Sequence, residues 1–540
     1  MASFAGRRYL RLDTTEHLYD AIVNNDATHA YYFFLGKTFG WSGDPETGVD
    51  SLEYTNFTTW DRIIALKQIN ASDVSLALPR YNWASGNVYR KYKSYVDVHS
   101  NQAESNAMYV VTSDFRVYKC IDNNKGVAST IEPLQTDAIR TFKTSDGYEW
   151  KYMFPVVGSD QQKFISTEYI AVKTVTSADS FNTEQYNIQL GATDGTVDTV
   201  DVIAGGANYI NFAGYISDSN TTVIYVSDTL YGANRTDDDY YNGCSLFVES
   251  GRGRGNLVEI ADYQASTAKI TLSTPLTTAL NISTVTDASY IVIGPKVTIN
   301  GNGVIQAEAY ANVNINSSNT INSINMVNKG LGITSSSITI TDSTFVGSVG
   351  TGAIAIPNIS PIGGHGSNAL RELGSGALML STRLRGNEEL AILNDAGFAM
   401  YGLLENPQYA NGVVVNETTV DTTTKLNLTN LSGITNATAV SGWTVKGLDS
   451  FASAYAFDVV TTADGANGIL SVTERDESNG AFVATETIEL NNDAAISGRL
   501  NSVTESIAKR YTGDIVYIEN RELVQRATTQ SEDFKIVLQF

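Results

Sequence analysis

Four histidines occur in the 540-residue chain, His17, His29, His99 and His365. None has a partner at metal-ligand spacing. His365 lies in ISPIGGHGSNALRELGSG, where Gly-Gly-His-Gly resembles the oxyanion loop of a hydrolase. No Gly-x-Ser-x-Gly nucleophile elbow accompanies it, so a glycine-rich turn whose histidine caps the next segment is the expected structure. SGRGRGN (250–256) alternates its glycines as a phosphate cradle does. It lacks the Lys-Ser/Thr and the helix start that a cradle needs, and reads as a β-turn. Asp237, Asp238 and Asp239 are consecutive, whereas calcium loops space their ligands at alternate positions, so a solvated loop is expected. Asp44, Glu46 and Asp50 could hold a cation or form an ordinary polar turn. A glycosidase pair of carboxylates, ~5–9 Å apart, is a three-dimensional feature that no spacing singles out here. The expectation is a protein that is not an enzyme and carries no cofactor or metal.

A different concentration of chemistry lies in SDGYEWKYMFPVV (145–157). Asp146-Gly147 is a tight-turn pair, and the strand after it places Tyr148, Trp150 and Tyr152 on one face. Each such ring can bury ~150–250 Å². The face either fills the core of the N-terminal region beneath its helices or anchors a partner, since interface hot spots favour Trp and Tyr.

The chain has 36 Lys and Arg against 58 Asp and Glu, a formal net charge of −22. Such a surface repels phosphate backbones, so no nucleic-acid partner is expected. Screening beyond ~8 Å at physiological salt leaves self-association open. Cys120 and Cys244 are the only cysteines, too few for a disulfide framework or a cysteine-based zinc site, which fits folding in a reducing cytoplasm. Arg7, Arg8 and Arg11 are followed by no apolar run, so no secretory signal is read. No apolar stretch approaches ~18 residues, so no membrane insertion is expected.

Around these residues the pattern predicts a mainly β, multidomain chain with an α+β N-terminal domain. Residues 1–175 form that domain. Asp13 is read as the N-cap of a helix whose stripe is Leu18, Tyr19, Ile22 and Val23, and Thr58 as the cap of a second helix carrying Ile63, Ile64, Leu66 and Ile69. Strands are expected at 31–41, 107–121 and 145–157. Beyond 175 the text is rich in Thr, Ser, Asn and Gly with period-two runs, the pattern of short strands in sandwiches or barrels. Residues 176–221 and 296–411 continue the core as β structure, 222–295 and 412–500 are inserted sandwich- or barrel-like β modules, and 501–540 returns as strands. A weak repeat aligns 197–210 with 321–334 without gaps, matching Gly206 to Gly330, and both copies read as a strand entering a hairpin.

An ordered set of segments resembles a known family. It comprises ALPRYNWASGNVYRKY (with Pro79, Arg80, Trp83 and Gly86), FRVYKCIDN (Tyr118, Cys120), SDGYEWKYMF (Asp146, Gly147, Tyr148, Trp150, Tyr152, Phe154), STEYIAV (Glu168, Tyr169, Ile170) and GDIVYIENRELVQRATTQSEDFKIVLQF (Tyr517, Glu519, Asn520, Arg521, Phe540). Together they are similar to the gene-product-eight baseplate wedge subunit of T-even-type contractile-tailed phages. The likeness covers 1–175 and 501–540, with thinner support in 296–411. It implies a structural subunit of the virion tail baseplate, made in the host cytoplasm. Its partners would be a second copy, as a homodimer, and the other wedge proteins. The contrasting expectation is a receptor-binding or polysaccharide-degrading tail protein, in which tyrosines such as Tyr240 and Tyr241 stack on sugars.

Overall fold

A computed structural model describes residues 4–24, 29–43, 45, 53–96, 98, 107–226, 236–345, 350–385, 397–526 and 530–539. His99, Phe540 and the carboxylates of the 44–50 turn lie outside the described residues. Among the described residues the chain is mainly β, with few helices. It divides into two compact units, one built from residues 1–8, 78–161 and 166–375, the other from 9–77, 162–165 and 376–540. The stretch 1–175, read as one domain, is therefore shared between them.

In the first unit, four antiparallel strands form a sheet in the order Tyr109–Val111, Arg116–Asp122, Glu149–Pro155, Phe142–Lys143. Period-two alternation sorts two chemistries onto its two faces. Tyr118, Cys120, Tyr148, Trp150 and Tyr152 join one apolar cluster with Tyr89, Val110, Phe142 and Ile188. Lys119 lies across from Lys151 on the other face, and every residue of Glu149–Pro155 is buried. Ile188 comes from the helix Thr183–Leu190, which packs against this strand. The covering helix is thus one that the pattern did not reveal; of the two N-terminal helices, the second and the first from Tyr9 onward belong to the other unit.

The long strands Val197–Ala207 and Thr351–Ile359 pair with each other. A four-stranded sheet runs Thr320–Asn328, Glu308–Asn314, Lys296–Gly301, Ser336–Thr341. Both copies of the weak repeat are strands, and Gly206 and Gly330 share left-handed backbone, φ +62° and +72°. Neither strand enters a hairpin with the strand that follows it, because their ladders are made with Thr351–Ile359 and Glu308–Asn314. Between the copies stands a closed six-stranded barrel, from Phe212–Ser219 to Tyr290–Gly294. It begins ten residues before the expected 222, since Phe212 already pairs with Ile293 and is buried in the barrel core. SGRGRGN is the turn between Ser245–Ser250 and Leu257–Gln264.

The second unit holds a five-stranded sheet ordered Thr419–Asp421, Ile63–Gln68, Tyr31–Gly36, Gly397–Glu405, Asp514–Gln525. Two predicted helix boundaries are corrected here. The second helix, Glu53–Arg62, ends where the expected apolar stripe begins, and Thr58 lies inside it. Ile63–Gln68 is a strand hydrogen-bonded on both sides, and Ile63 to Leu66 are buried without interruption. A run buried on both faces suits a central strand better than a one-sided helix. The first helix spans Phe4–Val23, so Asp13 is an exposed mid-helix residue and not its cap. Ser531–Gln539 pairs with Ala377–Arg385, which also pairs with Val74–Pro79. A second closed six-stranded barrel runs from Thr424–Ser432 to Asp493–Thr504 around its own apolar core.

Candidate functional site

Behind the aromatic face of the first unit lies a buried network of charged side chains. Lys119 comes from Arg116–Asp122, Asp198 from Val197–Ala207, and Glu372 from the short helix Ala369–Leu373. His365 is delivered by the Gly-Gly-His-Gly turn. Gly363, Gly364 and Gly366 all have left-handed backbone, φ +83°, +86° and +93°, which side-chain-bearing residues rarely adopt. A Cβ on Gly364 would fall 2.3 Å from the Thr193 carbonyl oxygen. The glycines therefore shape a turn that aims His365 inward.

Lys119 Nζ lies 3.0 Å from Glu372 Oε2 and 3.0 Å from His365 Nδ1. His365 Nδ1 is 3.3 Å from the same Glu372 oxygen, and Nε2 is 2.8 Å from Asp198 Oδ2. Because an ammonium only donates, Nδ1 facing Lys119 is the acceptor, and Nε2–H donates to Asp198. The other oxygen of Glu372, Oε1, accepts from the backbone N–H of Gly366 at 2.8 Å and of Asn368 at 3.4 Å. Lys119 also sits 4.1 Å from the centre of the Tyr92 ring, whose edge-on neighbour is His365. Lys119 is wholly buried, and Asp198, His365 and Glu372 are each at most 6% exposed.

The network continues outward. Lys329 Nζ contacts Glu149 Oε1 at 2.9 Å and lies 3.8 Å from Asp198. Lys151 donates to the Ala138 and Ile139 carbonyls at 2.7 and 3.1 Å. Two lysines, Lys119 and Lys329, thus face three carboxylates around one imidazole, while Lys151 is held by backbone carbonyls. Burial opposes ionisation of Asp198 and Glu372, yet His365 beside Asp198, and Lys119 beside Glu372, hold both carboxyls below their usual range. Burial pushes the Lys151 ammonium down to about 8. An enclosed pair of this kind is costly to break, because removing one partner strands a charge without solvent.

The residues singled out in the sequence distribute as follows. Tyr148, Trp150 and Tyr152 are fully buried core. Trp150 stacks on Tyr148 at 5.5 Å, Tyr148 Oη donates to the Val127 carbonyl at 2.6 Å, and Tyr152 Oη donates to Glu184 at 2.8 Å. Asp146 fastens the turn beside them. Its Oδ2 accepts from the N–H groups of Thr130 and Ile131 at 2.8 and 3.0 Å and from Ser129 Oγ at 3.0 Å. Gly147 has φ +87° and a Cβ there would meet the Asn124 amide at 2.6 Å. Trp83 reaches the same place, with Nε1 donating to Ser129 Oγ at 3.2 Å. Arg80 donates to the Ser166 carbonyl, and the Pro79 carbonyl accepts from Tyr109 Oη. Pro79, Arg80, Trp83 and the 146–152 segment are therefore brought together as framework of the first unit.

Glu519, Asn520 and Arg521 belong to the second unit, on the edge strand Asp514–Gln525. Glu519 accepts from Tyr517 Oη at 2.8 Å, and Arg521 lies over the Tyr401 ring at 5.2 Å. Asp238 and Asp239 accept from Ala265 N–H and from the Asn242 amide. Among the described residues no group of three His, Cys, Asp or Glu side chains could hold a metal ion. No described helix is long and apolar enough to cross a membrane.

Two readings are corrected. His365 does not cap the segment after it; Asn368 does, accepting from Arg371 N–H at 3.0 Å. Tyr240 and Tyr241, read as exposed stacking platforms, are 7% and 1% exposed and belong to the first barrel's core. The network around His365 was missed. Its trace in the sequence is a lysine at one alternate position of each apolar strand, Lys119 in VYKCI and Lys151 in EWKYMF. No family model matches the chain, and no curated protein matches it.

Proposed function

We propose that the chain is a structural subunit of a contractile phage tail baseplate, a wedge component that assembles through protein–protein contacts, including contacts with a second copy. The reading rests on the ordered set of segments described above. The structural observation that carries it is a run of solvent-exposed apolar side chains on one segment of the first unit. Val127, Ile131, Leu134 and Ile139 are 54%, 42%, 55% and 62% exposed. Leu190, 68% exposed, neighbours Gly191, where a Cβ would lie 2.9 Å from Ile139. Single exposed apolar residues need no explanation, but four within thirteen residues, with Leu190 beside Ile139, support an interaction surface on this segment. The segment is also held rigidly, because Asp146 and Tyr148 bind its backbone, and a pre-ordered surface loses less entropy on binding. Burial of Tyr240 and Tyr241 takes away the two tyrosines named for stacking on sugars in the alternative reading.

The test is electron microscopy of virions labelled with antibody raised against the purified chain, on intact and on disrupted particles. Label confined to the plate at the tail end is the expected result. Label along fibres or at their tips overturns it.

A further inference from the structure

We propose that Lys119 and Glu372 condense, without another enzyme, into an intramolecular amide cross-link, with His365 carrying the protons. The site has each part that amide formation from an amine and a carboxyl group requires. The nucleophile, Lys119 Nζ, is held 3.0 Å from Glu372 Oε2 and is wholly buried. Fixed placement of two reacting groups can correspond to effective concentrations of about 10⁵–10⁸ M. The oxygen that must bear developing negative charge, Glu372 Oε1, already sits in a pair of backbone N–H donors from Gly366 and Asn368. Such a pair does the work of an oxyanion hole. The oxygen that must leave, Oε2, faces His365 Nδ1 at 3.3 Å, and the same nitrogen lies 3.0 Å from Lys119 Nζ. One unprotonated nitrogen thus touches both the proton source and the leaving oxygen. Asp198, 2.8 Å from Nε2, fixes the tautomer that leaves Nδ1 free to accept.

The balance closes without an added reagent. Nδ1 takes a proton from the Lys119 ammonium and passes it to Glu372 Oε2, leaving a neutral amine beside a carboxylic acid. The Nζ lone pair forms the N–Cδ bond, and the carbonyl electrons move onto Oε1. Nδ1 takes a second proton from Nζ and delivers it to Oε2. The Cδ–Oε2 bond breaks, one water leaves, and the carbonyl at Oε1 re-forms. Ammonium plus carboxylate becomes amide plus water, and His365 ends as it began. In bulk water the ionised pair is favoured by its hydration; enclosure removes that hydration and so favours the neutral product. The cross-link would join two points 253 residues apart. Such a link restricts the unfolded chain and would strengthen the first unit against pulling forces.

Intact-mass measurement of the purified full chain, followed by peptide mapping, tests this. The expected result is a wild-type mass lower than the sequence mass by one water, and a branched peptide joining Lys119 to Glu372 after digestion. Lys119→Arg keeps a cation but no usable nucleophile, and is expected at its full sequence mass. His365→Asn is expected to form the link about 10²–10⁴-fold more slowly, the usual range for removing a general acid–base. A wild-type chain at its full sequence mass overturns the proposal, as does a water loss that persists in Lys119→Arg. The branched peptide is sought in the wild-type digest itself, so the result stands even if a variant fails to fold.

Discussion

Trp150 shows what single residues contribute to this protein. Its indole is wholly buried between Tyr148 and Tyr89, at ring separations of 5.5 and 5.8 Å. Trp150→Ala is expected to cost about 3–5 kcal/mol, the range for large aromatic-to-alanine changes in cores; chemical denaturation of the variant measures it. Asp146 acts through polarity. Burial disfavours its charged form, but hydrogen bonds from Thr144 and from the Thr130 and Ile131 N–H groups hold the carboxyl below its ordinary value. The unfolded chain therefore binds this proton at higher pH than the folded one. The stabilisation is complete above the ordinary carboxyl range, near 4, and disappears as pH falls through the lower folded value. Asp146→Ala should cost roughly 2–3 kcal/mol at neutral pH, since bonds to a charged group contribute about 1.5–3 each before water replaces some of them. The gap between wild type and variant should narrow below pH 4, as unfolding curves taken across pH would show. A constant gap would mean that Asp146 acts through shape alone.

At the scale of elements, the two barrels are built as insertions. In each, the first and last strands are neighbours: Phe212 pairs with Ile293, and Lys425 with Thr504. Paired residues on antiparallel strands lie about 5 Å apart, so a short turn can bridge the gap left by excision. Each barrel also has its own apolar core, including Leu426, Leu470, Ile488 and Leu500 in the second. Replacing 425–504 by a two-residue turn should leave the five-stranded sheet of the second unit folded, and the excised segment should fold on its own. Circular dichroism and cooperative thermal unfolding of both pieces check this; a non-cooperative melt of either would show that barrel and sheet fold only together. The strand Asp514–Gln525 raises a different issue, because a long edge strand is a template for unwanted pairing. Its register with Gly397–Glu405 shifts twice, and the Arg521 carbonyl accepts from the Trp41 indole at 2.9 Å. Both features blunt the edge.

For the whole molecule, the decisive property is how it meets other chains. Replacing Leu134 and Ile139 by Asp puts charge where the proposed contact needs apolar surface. Each side chain is more than half exposed, so the free chain should keep its stability within about 0.5 kcal/mol, as surface substitutions usually do. Incorporation into tail assemblies should fall sharply, read by complementation and by the amount of chain in purified particles. Normal incorporation with unchanged melting would remove this surface from the interface.

The sequence by itself determined the elements whose signal is local. Alternating Tyr148, Trp150 and Tyr152 after Asp146-Gly147 specify a strand following a turn, because side-chain period and turn chemistry are set within a few residues. The β-rich character beyond 175 and two compact β modules followed from the same kind of signal. Only tertiary structure decided whether Ile63–Gln68 would be helix or strand. An apolar run of that length suits either, and the two flanking strands that select one lie far away in the chain. The aromatic strand's core role also depended on a distant partner, the helix Thr183–Leu190. The charged network was least legible of all. Lys119, Asp198 and the His365–Glu372 segment come from three separate stretches, and their chemistry exists only because burial removes water from around all four side chains.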